Sequence, residues 1–323
     1  RLPSAVVTQT YFIGETFTLP TVSLSMNPEY LWDDRTGIYV TGTNGIPGNC
    51  DGTRRNFNQD WERPLHIEFY EPDGQSGFQA EAGVKIFGGC SRDYPQKSLA
   101  FYTRKKYGTE IIEYPLFPDK PIRSYNNFLL RNGGNDWIRT LFSDAMMQYL
   151  LKDRMDIDYQ AYRPAILFLN GEYRGIMNLR EKLNEHYAAQ NYGIDPEQVD
   201  LIENGSHVMN GDARHYNALL DTIYTQDVKK QDVYAYIQTQ MDADEYMNYV
   251  ISKIYYSSMD WPHNNIKYWR PRTPDGRWRW MTYDNDSGFG IWWPVTDNTL
   301  NNVSQVKNGN PFFLGRLLLN PSF

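Results

Sequence analysis

The chain has 323 residues, 32 Lys and Arg against 39 Asp and Glu, and a formal net charge of −7. The acidic balance excludes a general nucleic-acid binder, because neutralising phosphates needs a basic surface. Two cysteines exclude a disulfide scaffold and a four-cysteine zinc site. The length exceeds the ~250–300 residues at which one core stops growing, which predicts two lobes.

The pattern along the chain predicts a lead-in, a β-rich lobe and a helical lobe. Residues 1–60 are mostly irregular, with one strand at 19–24, and we expect them to pack along the main domain. Within 61–180 alternating patterns predict strands at 65–70, 78–87, 97–102 and 125–130. A helical pattern covers 137–151, and Asn170-Gly171 predicts a hairpin. The combination predicts an α+β fold.

Residues 181–323 begin with helical patterns and end with a hairpin. Apolar stripes predict helices over 212–225, 229–240 and 242–256, with Asp227 and Asp242 as N-caps. Strands at 266–269 and 278–281 flank a turn at Pro274-Asp275-Gly276. No apolar run is long enough to span a bilayer. The chain lacks an apolar leader at Arg1 and ends on an apolar stretch, so we expect it to be cut from a longer protein.

Polar residues are densest on either side of this hairpin. The stretch 259–265 precedes its first strand, and 283–290 follows its second. Because a hairpin brings its ends together, we expect four side chains to converge: Asp260, Asn265, Asp284 and Asp286. Carboxylate and amide oxygens suit a cation such as Mg²⁺, and a remaining carboxylate can orient a hydroxyl nucleophile.

The spacing of these residues is also that of a catalytic loop. An Asp followed five positions later by Asn, as in Asp260 and Asn265, occurs in protein kinases, where the Asp accepts the acceptor proton and the Asn holds metal. Two simpler interpretations stay open. Asp260 and Asp284 are turn or cap residues in one, and Asp284 with Asp286 binds a structural Ca²⁺ in the other.

Cations cluster in the β-rich part at a small-residue turn. Five of them lie within 15 residues: Arg92, Lys97, Arg104, Lys105 and Lys106. The turn at 88–91, ending in Ser91, can present backbone amides to phosphate, and Lys97 at the start of the next strand can reach phosphates of a nucleotide. A plain turn is the alternative.

The remaining chemical residues give weaker signals. The five histidines show no metal-ligand spacing, and His263 alone lies in the candidate catalytic loop. Cys50 and Cys90 both sit in glycine-containing turns and either pair or remain free thiols. Several tryptophans near carboxylates leave a carbohydrate-active enzyme open, although they serve equally well as core.

Several stretches, in order from residue 61 to the end, resemble the spore coat protein CotH family. They include 61–69, 83–92, 95–99, 130–136, 168–175, 178–182 and 284–290. The resemblance implies an atypical, two-lobed protein-kinase-like fold, with 61–180 as a β-rich N-lobe and 181–323 as a mostly helical, C-terminally truncated C-lobe.

The resemblance also implies phosphoryl transfer from ATP, with Mg²⁺ or Mn²⁺, to Ser or Thr of exported or coat proteins. By position, Asp260 is then the catalytic Asp, and the metal ligands are Asn265 and Asp284, with Asp286 as a further candidate. Nucleotide contacts are implied at Lys97, Arg92, Ser91 and Glu181. Asp144 is a candidate acidic partner of Lys97.

The family resemblance implies a bacterial protein that acts outside the cytoplasm, as a secreted, cell-surface or spore coat component. We expect a monomer with a protein acceptor, no nucleic-acid partner and no membrane span. The alternative function is a non-catalytic, kinase-like binding module of a surface or coat protein.

Overall fold

A computed structural model describes residues 7–205, 207–258, 260–292, 294–304 and 312–323. Its strands are β1 Thr21–Ser25, β2 Ile46–Pro47, β3 Arg54–Arg55, β4 Arg63–Tyr70, β5 Ser76–Phe87, β6 Ser98–Tyr102, β7 Asn127–Arg131, β8 Asp158–Tyr159, β9 Tyr162–Leu169, β10 Glu172–Arg180, β11 Val199–Glu203, β12 His207–Asn210, β13 Lys267–Pro271 and β14 Arg279–Thr282. Its helices are α1 Pro28–Trp32, α2 Ser143–Leu151, α3 Glu185–Tyr192, α4 Arg214–Thr225, α5 Gln231–Gln240, α6 Ala243–Tyr255, α7 Thr299–Ser304 and α8 Leu314–Leu317. The fold is α+β, as predicted.

The chain divides into two compact units. The first contains residues 1–141 and 161–182, and the second contains residues 142–160 and 183–323. Helix α2 therefore belongs to the second unit, although the sequence pattern placed it within the β-rich part. In the described residues, no helix is both long and apolar enough to cross a membrane.

The first unit is a closed barrel with strand order β1-β4-β5-β6-β7-β10-β9. Strand β1 closes it, because it pairs antiparallel with β4 and parallel with β9. The lead-in thus supplies a wall of the barrel. Alternating side chains of these strands fill one apolar core that includes Val22, Ile67 and Leu167. Closure also removes the edges on which strands of other chains pair.

A disulfide joins Cys50 to Cys90, with Cα atoms 5.4 Å apart. It links the lead-in to the turn after β5, so of the two alternatives left open by the sequence the structure shows the paired one. The Asn170-Gly171 hairpin is confirmed as well. Both residues have positive φ, 50° and 81°, the backbone that a two-residue hairpin turn requires.

The second unit contains a five-stranded sheet with order β12-β11-β13-β14-β8. The predicted hairpin is confirmed as β13 and β14, which pair antiparallel. Helices α4, α5 and α6 form near their predicted ranges. They pack on this sheet through a core rich in aromatic rings, including Tyr216, Tyr268 and Trp280.

Three predictions of secondary structure were wrong in detail. Helix α2 begins at Ser143 rather than 137, because Leu141 has a φ of 70° and interrupts the helix. The region after 182 also contains β11 and β12, which were missed. Asp242 caps α6 as predicted, but Asp227 does not cap α5, which begins after Lys230; Asp227 instead accepts from the amide of Lys229.

Candidate functional site

The hairpin of β13 and β14 sets the frame of the candidate site. Lys267 pairs with Met281, so the loop before β13 and the segment after β14 leave the sheet at the same end. The loop carries Asp260 and Asn265, and the segment carries Asp284 and Asp286. These four residues belong to one end of one hairpin in the second unit.

Asp260 is held by its own loop. Its Oδ2 accepts from the Asn265 side-chain amide at 3.0 Å and from the Asn264 amide at 3.1 Å. The His263 Nε2 lies 3.6 Å from Oδ1, and the Asp260 side chain is 44% exposed. The carboxylate is therefore oriented by two amide donors while still open to solvent.

The segment after β14 is anchored at Asn285 and at Phe289. The backbone amide of Asn285 donates to Asp144 Oδ1 at 2.8 Å, and Asp144 is itself held by Gln148 of the same helix α2. The amide of Phe289 donates to the carbonyl of Tyr256 at 2.8 Å. Asp284 has a φ of 54°, so the chain turns there and places Asn285 in the interior.

A buried lysine lies among the acids. Lys253 of α6 is 0% exposed, and its Nζ donates to Asn285 Oδ1 at 2.7 Å and to the Tyr283 carbonyl at 2.8 Å. Burial lowers the pKa of Lys253 to about 8. Four carboxylates have the opposite, smaller effect and favour the charged lysine: Asp144, Asp284, Asp286 and Asp260. The lysine thus ties helix α6 to the acidic segment at Asn285, between Asp284 and Asp286.

Lys253 was missed in the sequence, although a signal exists. The buried stripe of α6 includes Tyr246, Tyr249, Val250 and Lys253, at helical spacing. A lysine in the apolar stripe of a helix is buried at a cost that only paired charges or hydrogen bonds offset. Such a position, two turns before an acidic loop, indicates a charge partner for that loop.

The predicted ligands suit a hard cation in their chemistry. Oxygen ligands are available from Asp284, Asp286 and Asn265. The side-chain nitrogen of Asn265 donates to Asp260, so the side-chain oxygen of Asn265 is left for a cation. Within the described ranges, no three His, Cys, Asp or Glu side chains are already gathered as a metal site. Mg²⁺ tolerates this, because it usually binds one or two carboxylates, phosphates and water.

Lys97 lies in the first unit, at the start of β6, and is buried. Its Nζ donates to the carbonyls of Arg92 at 2.6 Å and Tyr94 at 3.2 Å, and lies 3.7 Å from the centre of the Phe57 ring. Burial lowers the pKa of Lys97 to about 8. A phosphate that binds Lys97 has to use the third N–H of the ammonium, beside the Phe57 ring, or replace one of these carbonyls.

Arg92 and Ser91 lie in the same turn as the carbonyls that hold Lys97. The Arg92 guanidinium donates to the carbonyls of Gly88, Phe57 and Asn58, so it ties the turn to the lead-in. The carbonyl of Ser91 accepts from the Asn132 side chain at 3.4 Å. The turn is thus fixed by polar contacts within the first unit.

Glu181 makes its described contacts elsewhere in the barrel. It is 3% exposed, pairs with Lys120 at 2.7 Å and accepts from the amide of Ala161 at 2.8 Å. The structure therefore brings together Ser91, Arg92 and Lys97 in one unit and the predicted acids in the other. Their functional roles stay predictions.

The tryptophans of the carbohydrate hypothesis are mainly core residues. Trp269, Trp278 and Trp280 are fully buried, and Trp261 is 4% exposed. Trp292 is exposed, and Trp293 lies outside the described residues. Buried rings present no sugar-binding platform, so this hypothesis loses its main support.

Comparison with known proteins gives one family. The model of the family described as CotH kinase protein matches residues 84–323. The match covers most of the chain, including the barrel strands from β5 onward and all the residues around Lys253. A search of curated proteins finds no match.

Proposed function

Because the chain belongs to the CotH kinase family, we propose that it transfers the terminal phosphoryl group of ATP to a Ser or Thr hydroxyl of a protein. The observation that carries this proposal is the placement of Asp260, Asn265, Asp284 and Asp286 at one end of the β13–β14 hairpin, with the Asp260 carboxylate oriented by two amide donors. Phosphoryl transfer needs few reactive groups from the protein; it needs an oriented base and charge compensation.

Asp260 is the proposed proton acceptor. Its Oδ2 is fixed by the Asn264 and Asn265 amides, so the other oxygen and the exposed face can meet an acceptor hydroxyl. As that hydroxyl oxygen attacks phosphorus, its proton passes to the Asp260 carboxylate and the bond to the ADP oxygen breaks. Orientation by two donors limits the rotamers that Asp260 samples.

Asp284, Asp286 and the Asn265 carbonyl oxygen are the proposed ligands of Mg²⁺ or Mn²⁺. When bound, the cation neutralises charge on the phosphate oxygens. Lys253 stabilises the same acids and fixes Asn285 between Asp284 and Asp286, so the carboxylates keep their places. Lys97 stays the predicted nucleotide-phosphate contact, with Arg92, Ser91 and Glu181 as further predicted contacts.

The disulfide supports a location outside the cytoplasm, since disulfides persist in oxidising compartments. An exported or coat protein is therefore the proposed acceptor, and a secreted, cell-surface or spore coat location is proposed for the chain.

The test is transfer of labelled phosphate from ATP with Mn²⁺ or Mg²⁺ to a protein acceptor or to the chain itself. Asp260→Ala should abolish transfer and Asp284→Ala should abolish the metal dependence of nucleotide binding, while both variants keep the wild-type melting temperature within a few degrees. Asp275→Ala, in the exposed hairpin turn, removes an equal charge and should retain full transfer.

A second measurement separates catalysis from binding. ATP with Mn²⁺ should raise the melting temperature of the wild type, because a ligand that binds only the folded state stabilises it. No such rise, together with no transfer, would support the non-catalytic binding module. Equal transfer by the wild type and Asp260→Ala would remove the proposed role of Asp260.

A further inference from the structure

A small cavity that is lined entirely by ionisable side chains lies in the second unit. Its volume is about 210 Å³, and it is lined by Asp200, Asp212, Arg214, His215, Arg270 and Arg272. The residues come from β11, the start of α4, β13 and the turn after it. The volume is below the ~300–1,000 Å³ of ordinary ligand pockets, which favours a single charged group over a whole cofactor.

The arginines are held by one buried carboxylate. Asp200 is 2% exposed and accepts from Arg270 Nε at 3.0 Å and from Arg272 Nε at 2.6 Å. Both contacts use the Nε edge of a guanidinium, and the carbonyl of Gly276 takes Nη1 of Arg270 at 3.3 Å. The planes of both guanidinia are therefore fixed, and terminal amino groups remain as further donors.

His215 adds a neutral donor. Its Nδ1 accepts from the Trp278 indole at 3.1 Å, so the ring proton lies on Nε2. Burial, and then the charge of Arg270, lower the pKa of His215 below its ordinary value. At neutral pH the imidazole thus contributes an N–H donor rather than a fourth charge.

The loop before α4 is built to approach this cluster closely. Gly211 has a φ of 72°, and a Cβ there would lie 2.2 Å from Asp200 Oδ1 and 2.4 Å from Arg272 Nη2. The next amide, of Asp212, donates to Asp200 Oδ1 at 3.0 Å. Only glycine lets the backbone reach the buried carboxylate, so the arrangement is specific.

We propose that this cavity binds a phosphate monoester group. Three guanidinium groups against two carboxylates leave one positive charge. Arg214 already donates Nε and Nη2 to Asp212, so the remaining terminal N–H groups of Arg270 and Arg272 are the donors for phosphate oxygens. Together with the His215 N–H, the lining offers more N–H donors than the two oxygens of a carboxylate ligand accept, which favours a phosphate group. The site is separate from the residues around Lys253 and does not depend on phosphoryl transfer.

The test is calorimetric titration at pH 7, without nucleotide or metal. The probes are inorganic phosphate and a short peptide containing phosphoserine, with the unphosphorylated peptide as a blank. We expect both phosphate probes to bind, and tighter binding of the peptide would identify a chain-borne phosphate as the source. Lys97→Met, which removes the proposed nucleotide-phosphate contact, should bind both probes like the wild type, and this separates the cavity from the proposed nucleotide site.

Arg272→Gln should weaken binding about tenfold, since a hydrogen bond to a charged group is lost. The matched control is Arg277→Gln, which removes the same charge from the same hairpin outside the cavity and should bind unchanged. If Arg272→Gln does not fold, Arg214→Gln at the exposed rim should still weaken binding. Absence of binding in the wild type up to about 10 mM probe, or an equal loss in Arg277→Gln, would overturn the proposal.

Discussion

The ammonium of Lys253 donates to the side-chain oxygen of Asn285 at 2.7 Å, and this contact joins helix α6 to the acidic segment after β14. The bond is buried, and the lysine compensates four carboxylates that belong to three different parts of the second unit. Removing the lysine therefore affects both the packing of the segment and the electrostatics of its acids.

Lys253→Met should lower the free energy of unfolding by about 3 kcal/mol at pH 7, because it leaves the buried Asn285 side-chain oxygen and the Tyr283 carbonyl without their donor. The measurement is urea denaturation followed by circular dichroism. Lys229→Met, at an exposed position before α5, is the control and should change stability by less than ~0.5 kcal/mol. Equal stability of Lys253→Met and the wild type would show that the Asn285 and Tyr283 oxygens do not need this donor.

Most single elements of the fold could be predicted because their signals are local. The hairpin of β13 and β14 follows from alternation around Pro274-Asp275-Gly276, and α6 follows from one apolar stripe. Closure of the barrel could not be predicted, since β1 and β9 pair over more than 140 residues of sequence and neither strand carries information about its partner. Strand β11 was missed because five residues are too few to distinguish periods.

The candidate site divides in the same way. Asp260, Asn265, Asp284 and Asp286 could be named because a hairpin brings its own ends together. Lys253 could not be placed with them, since its relation to Asn285 depends on how α6 packs on the sheet. Glu181 also depends on tertiary structure: the family resemblance implies a nucleotide contact there, and its ion pair with Lys120 joins residues 61 positions apart, which the sequence alone does not reveal.

The free energy of unfolding should rise with pH above pH 8. Burial lowers the pKa of Lys97 from 10.5 to about 8, so between these values the unfolded chain holds a proton that the folded chain releases. Stability contributed by this group is therefore lowest below pH 8 and increases toward pH 10.5. Buried tyrosines with raised pKa, such as Tyr268, oppose the rise above pH 10.

Denaturation at pH 7.5, 8.5 and 9.5 measures this effect. The free energy of unfolding of Lys97→Met should rise less with pH than that of the wild type. The double variant Lys97→Met with Lys253→Met should show almost no rise, since burial lowers the pKa of Lys253 to about 8 as well. A wild-type stability that falls steadily over this range would contradict both assignments.

Loss of the Cys50–Cys90 disulfide should destabilise the chain. The bond closes a loop of 40 residues, and the chain-entropy relation gives about 4 kcal/mol for such a loop. The double substitution Cys50→Ser with Cys90→Ser should therefore lower the melting temperature by several degrees, as should a reducing agent on the wild type. The reducing agent should leave the double variant unchanged, which controls for effects unrelated to the bond.

Asn265 gives a prediction that separates backbone from side chain. Its φ is 56°, a conformation that glycine adopts without strain, and its amide donates to Asp260 at 3.0 Å. Asn265→Gly should keep the positive φ without strain and lose only the side-chain amide. Asn265→Ala should lose the amide and also strain the backbone. We expect Asn265→Ala to be less stable than Asn265→Gly by about 1 kcal/mol, measured by urea denaturation.

Phosphoryl transfer should fall at least tenfold in both variants, because neither variant has the amide that orients Asp260. Recovery of transfer in Asn265→Gly alone would assign the role of Asn265 to its backbone and not to its amide.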